Sequence, residues 1–425
     1  MSTAPTADAQ SPWDGVWDAQ ARYHGLDALR ALAMLLGIVL HATLPYFARI
    51  ADIELMWPAD DDQSLALLVL FDFIHLWRMP VFFLLAGFFA HLVLARRSTG
   101  AFIRDRLRRI AVPLVLFTGV MTLILPVLWN YGWKGEFAVD SGVLDPRKWP
   151  QYAAQGMPLA HLWFLWHLLV MYAVLLGLRH AGATRLGLAV RTVPPVASLA
   201  RRSVAAVYAR APLALMAAAA LLLAWRGGDE SKPIFPPNVP DLLYGALFFF
   251  YGYGLWTRRA SIRNLTHHGV LAVLWASAFA VYALHLAMLG ALQVADGAGS
   301  SGVAATLALV EVLAQGCAVV LLTLALVGSC EALLRAPRPW VRWTADASYW
   351  IYLMHLPVVA WLTFWLAHLD RSGRLTALTG FAWGAGLKFL AAGVVTTAVG
   401  LATYRYLVRY TPLGTLLNGK RSRRH

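Results

Sequence analysis

Long apolar stretches alternate with short polar loops along most of the chain. Ten stretches have spanning or near-spanning length, since about 20 apolar residues cross a bilayer core as a helix. They lie at residues 26–47, 66–95, 110–129, 159–178, 204–225, 239–256, 269–291, 303–328, 346–367 and 376–403. The fifth, which opens with Arg210 and Pro212, and the short aromatic sixth are the least clear. The pattern predicts an all-α polytopic membrane protein, a bundle of about ten transmembrane helices.

The loops between these stretches alternate in charge. Arginines cluster after the second, fourth, sixth and eighth stretches and in the C-terminal tail, whereas the intervening loops are acidic or mixed, as at residues 51–62. Because basic loops stay on the cytoplasmic side, both termini are predicted to be cytoplasmic. We therefore divide the chain into a polar cytoplasmic segment at 1–21, an integral membrane domain at 22–410 and a basic cytoplasmic tail at 411–425.

The composition agrees with a membrane protein, because 59% of the residues are hydrophobic and only 14% are charged. A formal net charge of +14 would suggest nucleic acid in a soluble protein. Here the positive charge lies in loops beside the membrane, so we expect membrane lipids and no nucleic acid as partners. Two cysteines in apolar sequence and the lack of an HExxH motif give no reason to expect a metal.

The first stretch carries Arg30 and His41 in otherwise apolar sequence. Their spacing of eleven residues places both on one face of a helix, about 16 Å apart along its axis. Arg30 would lie near the cytoplasm and His41 more than halfway across the membrane. The pair is either functional or a polar contact that fixes helix packing.

Three other stretches place polar groups at depths that overlap that of His41. They are Asp72, His75 and Arg78 in the second stretch, His161 and Trp163 in the fourth, and Tyr352 and His355 in the ninth. Isolated charges in the bilayer core cost about 2.5–3.5 kcal/mol each on insertion scales, so the overlap favours one shared hydrated cavity. Three further buried polar residues are predicted to be network members or packing pairs: His285, Glu311 and Lys388.

Two arginines precede the third stretch in the segment FIRDRLRRIAVP. Arg106 and Arg109 are three residues apart and share a helix face just below the membrane, where two guanidinium groups can hold phosphates. The alternative is that they are topogenic charges in contact with lipid headgroups.

Together these stretches resemble the membrane-bound acyltransferase-3 family, and in particular its branch that succinylates osmoregulated periplasmic glucans. The resemblance rests on an Arg/Lys, ten residues, His signature at Arg30 and His41, and on an Arg-x-x-Arg motif at Arg106 and Arg109. RMPVFFLLAGF from Arg78, HLWFLW at 161–166 and YWIYLMHLP at 349–357 also fit. It covers residues 22–415.

The resemblance implies a membrane-embedded O-acyltransferase of the bacterial inner membrane. It would move an acyl group from cytoplasmic acyl-CoA to a hydroxyl of a periplasmic or cell-surface glycan, with succinyl-CoA the first candidate donor and acetyl-CoA the second. His41 would be the general base, and Arg106 and Arg109 would bind the donor phosphates. Arg30 would line the path of the acyl-pantetheine arm.

The remaining site residues receive less specific roles. Arg78 or Tyr352 would stabilise the oxyanion, or Arg78 would pair with the free carboxylate of a dicarboxylic acyl group. Four other polar residues would orient the base or the acceptor: Asp72, His75, His161 and His355. Trp163 would bind the substrate, together with His161, Tyr352 and His355. Transfer is either direct or through an acyl-histidine.

A proton-coupled secondary transporter is the alternative function. The same buried histidines, aspartate and arginines would then form a proton relay and a substrate site. Against it, no inverted repeat is visible in the lengths of the stretches or in their Gly and Pro interruptions.

Overall fold

The apolar stretches fold as helices in a computed structural model, which describes residues 23–138, 145–183, 211–226, 234–235, 238–297, 301–336 and 338–419. The helices are α1 (His24–Thr43), α2 (Leu65–Arg96), α3 (Thr99–Arg106), α4 (Val112–Lys134), α5 (Trp149–Gln155), α6 (Trp163–Ala183), α7 (Ala211–Arg226), α8 (Val239–Leu255), α9 (Ala260–Asn264), α10 (His268–Gly297), α11 (Ser301–Leu333), α12 (Pro339–Arg371), α13 (Arg374–Thr379), α14 (Ala385–Thr403) and α15 (Pro412–Asn418). Two-residue strands, β1 (Met157–Pro158) and β2 (Ile234–Phe235), pair antiparallel. The predicted all-α class is confirmed over the described residues.

Within the described residues, eight helical segments are long and apolar enough to cross a membrane. They are His24–Tyr46, Leu65–Arg96, Thr99–Lys134, Ala160–Gly182, His268–Ala295, Gly302–Leu333, Pro339–Arg371 and Ala385–Val408. The sixth predicted stretch forms the shorter helix α8, of 17 residues. At 1.5 Å per residue it reaches about 26 Å, less than a hydrocarbon core of about 30 Å. The fifth predicted stretch begins at residue 204, and only its part from Ala211 onward, in α7, is described. Ten spans therefore remain a prediction.

The structure begins the last long helix later than the sequence predicts. The tenth stretch is predicted at 376–403, but α14 begins only at Ala385, because α13 ends at a turn through Gly380 with φ +81°. That predicted start is wrong. The predicted segment 1–21 lies outside the described residues, and the predicted tail is described only to residue 419.

Successive long helices run in opposite directions, and the connections at the two ends of the bundle differ in charge. The basic end carries the turn after α2, with Arg96 and Arg97, and the start of α4. The acidic end carries residues 47–64, here called the covering loop, which includes Asp60, Asp61 and Asp62. The amide of Leu26 at the start of α1 donates to Glu331 near the end of α11 (2.8 Å), and Asn418 donates to the Asp346 carbonyl (2.9 Å). Both ends of the described chain thus lie at the basic end.

Helix α1 packs among α2, α11, α12 and α14 in the main hydrophobic core. The tightest crossing is between α2 and α8. A methyl group on Gly87 would overlap the carbonyl oxygen of Phe249, and one on Gly252 would overlap that of Leu84. Only glycine permits this backbone approach. The crossing holds the half of α2 that follows Pro80 in register with α8.

The covering loop lies over the end of α1. Its backbone is held by the indole of Trp129, which donates to the Met56 carbonyl (2.8 Å), and by the amide of Asp60, which donates to the Pro45 carbonyl (3.0 Å). The loop therefore forms a lid-like wall at the acidic end of the bundle.

Candidate active site

A cavity of about 310 Å³, here called the histidine cavity, lies inside the bundle below the covering loop. Its polar lining comes from α1, α2, α12 and the turn before α6: His41, His75, Arg78, His161 and Tyr352. Trp163 also lines it. The structure thus brings together groups from the four stretches that were expected to share a cavity. The volume suits part of a small ligand rather than a few waters.

Three imidazoles form the centre of this site. Ring centroids are 5.2 Å apart for His41 and His355, 5.0 Å for His161 and His355, and 6.4 Å for His41 and His161. Nδ1 of His41 and both ring nitrogens of His161 are buried without a hydrogen-bond partner among the described residues. Since buried polar atoms are normally paired, these nitrogens are suited to a ligand or to water.

Backbone contacts set the tautomer of His355. Its Nδ1 lies 2.8 Å from the Tyr352 carbonyl and 3.1 Å from that of Ile351. A carbonyl oxygen only accepts, so Nδ1 carries the hydrogen and neutral His355 has its lone pair on Nε2. That atom is buried and has no partner in the described part of the chain. His355 therefore has the tautomer of a potential proton acceptor, the role that is predicted for His41.

Arg78 is a buried cation beside the histidines. It is 7% exposed, and its Nε donates to the Ala33 carbonyl of α1 (2.8 Å). Its Nη2 lies 2.7 Å from the point that a Cβ on Gly37 would occupy. No carboxylate of the described residues forms an ion pair with this guanidinium. An uncompensated buried charge is costly, so the site favours an anionic group next to Arg78.

Tyr352 joins α12 to the turn before α6. Its hydroxyl donates to the backbone carbonyl of His161 (2.7 Å), which follows Ala160 in a left-handed conformation with φ +46°. The hydroxyl is thereby engaged with the backbone in this structure. Tyr352 holds the His161 turn in place, whereas Arg78 has the free guanidinium nitrogens.

Asp72 does not line the histidine cavity. Its Oδ2 lies 3.4 Å from Nε2 of His285, whose Nδ1 lies 2.9 Å from Oε1 of Glu311. Asp72 and His75 also border a smaller cavity of about 90 Å³. At 100° per residue Asp72 and Arg78 point 120° apart, with His75 between them. One face of α2 therefore serves two cavities, and His75 lies in the wall of both.

The two arginines of the Arg-x-x-Arg motif lie at the basic end, beside a π-helical turn at Leu107–Ala111. Both pair with one carboxylate, since Arg106 lies 3.4 Å and Arg109 3.1 Å from Asp105 oxygens. The guanidinium carbon of Arg106 lies 5.1 Å from the centre of the Phe102 ring and 5.4 Å from the centre of the Tyr172 ring. One aspartate leaves a net positive charge on the pair, as an anion site requires.

Arg30 lies on α1 between this end and the histidine cavity, but it does not line the cavity. It pairs with Asp27 at 3.2 Å, and its guanidinium lies 5.7 Å from the centre of the Phe89 ring. The Arg78 guanidinium donates a hydrogen bond to the Ala33 carbonyl. This guanidinium therefore lies between Arg30 and His41 along the axis of α1. Cationic groups thus occur at successive depths from the basic end to the histidines.

Two features of the site were not predicted from sequence. Trp57 of the covering loop lies nearly parallel to the His41 ring, with centroids 5.9 Å apart and an angle of 11°. Gly37 gives space to Arg78 and His355. A lone glycine inside an apolar helix is a recognisable signal of close packing. Nothing in the sequence around Trp57 indicates which helix the loop covers.

The sequence of this chain is similar to those of known proteins. The family model described as an acyltransferase domain, of the acyltransferase-3 type, matches residues 23–405. Curated relatives called "Glucans biosynthesis protein C" are 33% identical in Escherichia coli K12 and 32% identical in Shigella dysenteriae serotype 1, over 154 residues in each case. The matched region is 36% of this chain and 37% of each relative. No solved structure matches significantly. On the family match over residues 23–405, this chain belongs to the acyltransferase-3 family.

Proposed function

We propose that the chain is a membrane O-acyltransferase that moves an acyl group from acyl-CoA, bound at the basic end, to a glycan hydroxyl that enters from the acidic end. The observation that carries the proposal is the buried Arg78 guanidinium, which has no carboxylate partner among the described residues, in a cavity with His41 and His161, both of which have buried ring nitrogens without a hydrogen-bond partner there. Succinyl is the first candidate acyl group and acetyl the second. The relatives' name concerns glucan biosynthesis, which favours a glucan as the acceptor.

In the proposed reaction His41 takes the proton of the attacking hydroxyl. The hydroxyl oxygen bonds to the thioester carbonyl carbon, the carbon–sulfur bond breaks, and the proton ends on the thiol of CoA. General-base catalysis of this kind typically contributes about 10²–10⁴ in rate. His355 has the tautomer that suits a second proton acceptor, and its ring lies beside that of His41.

Arg78 has two candidate partners in this scheme. It would stabilise the tetrahedral oxyanion, or it would pair with the terminal carboxylate of a succinyl group. The substitution Arg78→Gln separates these roles. Loss of succinyl transfer with retained acetyl transfer identifies carboxylate recognition, whereas equal loss for both donors identifies the oxyanion role.

The donor would be held by Arg106 and Arg109, with its acyl arm extending along α1 past Arg30 and Arg78. About 16 Å of helix separates Arg30 from His41, so the arm must cross three turns. Basic loops favour the cytoplasm, which supports a donor site on the inner side and a covering loop in the periplasm of a bacterial inner membrane.

Mass spectrometry of glycans tests the proposal. A host lacking its own acyltransferase would express wild type or His41→Ala, and both proteins would be quantified in the membrane fraction. A mass increment on periplasmic or surface glycan with wild type alone is expected, and its size identifies the acyl group. Substantial transfer by His41→Ala would rule out His41 as the base.

The Asp72, His285 and Glu311 cluster keeps the transporter alternative open, because buried titratable chains occur in proton-coupled carriers. A transporter predicts substrate uptake driven by a proton gradient and no binding of acyl-CoA. The acyltransferase predicts donor binding by the purified protein.

A further inference from the structure

Lys388, in the first turn of α14, is fully buried at the acidic end of the bundle. Its Nζ lies 2.7 Å from Asp60 Oδ1, 2.9 Å from Asp62 Oδ2 and 2.7 Å from Asp370 Oδ2. Asp60 and Asp62 belong to the covering loop, and Asp370 lies at the end of α12. One ammonium group therefore joins the loop to α12 and α14, two helices that lie far from the loop in sequence.

Two exposed arginines add weaker ties to the same loop. Arg371 of α12 donates to Asp61 (3.1 Å) and to the carbonyl of Ala59 (2.5 Å). Arg49 donates to Asp61 (3.1 Å) and to Glu54 (2.8 Å) within the loop. Exposed pairs contribute about 0–1 kcal/mol each, whereas breaking a buried pair costs far more. The buried Lys388 contact is therefore the main polar attachment of the loop to α12 and α14.

The attached loop forms one wall of the histidine cavity. Ile53, Met56 and Trp57 line that cavity, and the Trp57 ring lies against His41. Trp57 is 7% exposed and packs edge-on against Trp129, with ring centroids 4.7 Å apart. Displacing the loop would therefore uncover His41 from the acidic end.

We propose that Lys388 is a positioning residue: it holds the covering loop on the bundle, and thereby keeps Trp57 against His41 and shields the histidine cavity from bulk water. One carboxylate oxygen from each of Asp60, Asp62 and Asp370 lies within 4.8 Å of the other two. Without the ammonium group these like charges repel, because only the cation offsets their mutual proximity. The loop carries two of the three charges and lies outside any helix or strand, whereas Asp370 is fixed in α12, so the loop is the part that moves.

Hydrogen exchange of the full chain in detergent tests this without any activity. In Lys388→Met, the amides of Asp60 and Ser64, which donate to the carbonyls of Pro45 and Tyr46, are expected to exchange about a hundredfold faster. The helix interiors of α12 and α14 keep their protection. The matched control is Lys134→Met, which removes an exposed lysine at the same end of the bundle.

A compensated variant separates charge from packing. Lys388→Met combined with Asp60→Asn and Asp370→Asn removes two of the three repelling charges, and it is expected to recover most of the loop protection. Unchanged loop exchange in Lys388→Met would overturn the proposal. So would loss of protection across all helices, since that result assigns Lys388 to general stability.

An activity measurement, which rests on the proposed function, tests the exclusion of water. In hydrolysis a water oxygen bonds to the thioester carbonyl carbon, the carbon–sulfur bond breaks, and sulfur takes the proton. Lys388→Met is expected to raise the ratio of donor hydrolysis to glycan transfer about tenfold, because an open site admits water. Reduced transfer without added hydrolysis would refute water exclusion. A wild type inactive on every donor would instead refute the proposed function, while the exchange results still decide the role of Lys388.

Discussion

Gly37 is the position where a single methyl group should test the site most directly. In Gly37→Ala the new Cβ would lie 2.7 Å from Nη2 of Arg78 and 3.3 Å from Nε2 of His355. An ordinary contact begins at 3.4 Å, so the guanidinium must retreat by about 0.7 Å. The atom that moves is the far end of a flexible side chain, and the backbone of α1 and α2 can stay in place.

The expected effects on stability and on activity are therefore different. Alanine is favoured over glycine in a helix by about 0.8–1.0 kcal/mol, and an off-rotamer side chain costs about 0.5–1.5 kcal/mol. These terms nearly cancel, so the melting temperature should change little. A displacement of about 1 Å in a catalytic constellation can cost about 10²-fold in rate, or about 2.7 kcal/mol. We expect kcat/KM for acyl transfer to fall 10- to 100-fold on this basis.

The assay is acyl transfer by purified protein, with thermal unfolding measured on the same samples. Gly119→Ala on α4 is the matched control, because nothing lies within 4 Å of its added Cβ. The control should keep full activity. If Gly37→Ala is as active as the control and equally stable, Arg78 and His355 do not need their observed positions, and the proposed role of Arg78 is refuted.

Three further predictions concern other parts of the molecule. Arg106→Ala with Arg109→Ala should weaken acyl-CoA binding at least tenfold in a titration, since two charge-assisted contacts are lost; the exposed neighbour Arg108→Ala should not, and equal weakening by both would indicate general electrostatic attraction. Asp72→Asn should lower the melting temperature and leave kcat nearly unchanged, because Asp72 contacts the His285 network outside the histidine cavity. A large fall in kcat at unchanged melting temperature would contradict that placement. Gly87→Ala should abolish the folded protein, because its methyl would overlap the backbone of α8; normal yield and melting temperature would show that the two helices can separate.

Much of the architecture could be predicted from the sequence because it depends on local properties. The apolar stretches are helical because no other conformation satisfies their backbone groups in lipid, and their polar positions are fixed by 100° per residue. Arg30 and His41 therefore had to share a face of one helix. The start of α14 was predicted less well, since hydropathy gives no sharp boundary for a glycine-interrupted helix.

The sequence by itself determined which residues carry polar groups into the apolar bundle and at what depth. It could not determine how each helix is rotated against its neighbours, and that rotation is set by packing. Asp72 and Arg78 show the difference, because they lie on one broad face of α2 yet their 120° separation sends them to two cavities. The same holds for Trp57 and Lys388. Trp57 contacts His41, and Lys388 contacts Asp60 at a separation of 328 residues; only the tertiary packing of the loop and the helices brings these side chains together.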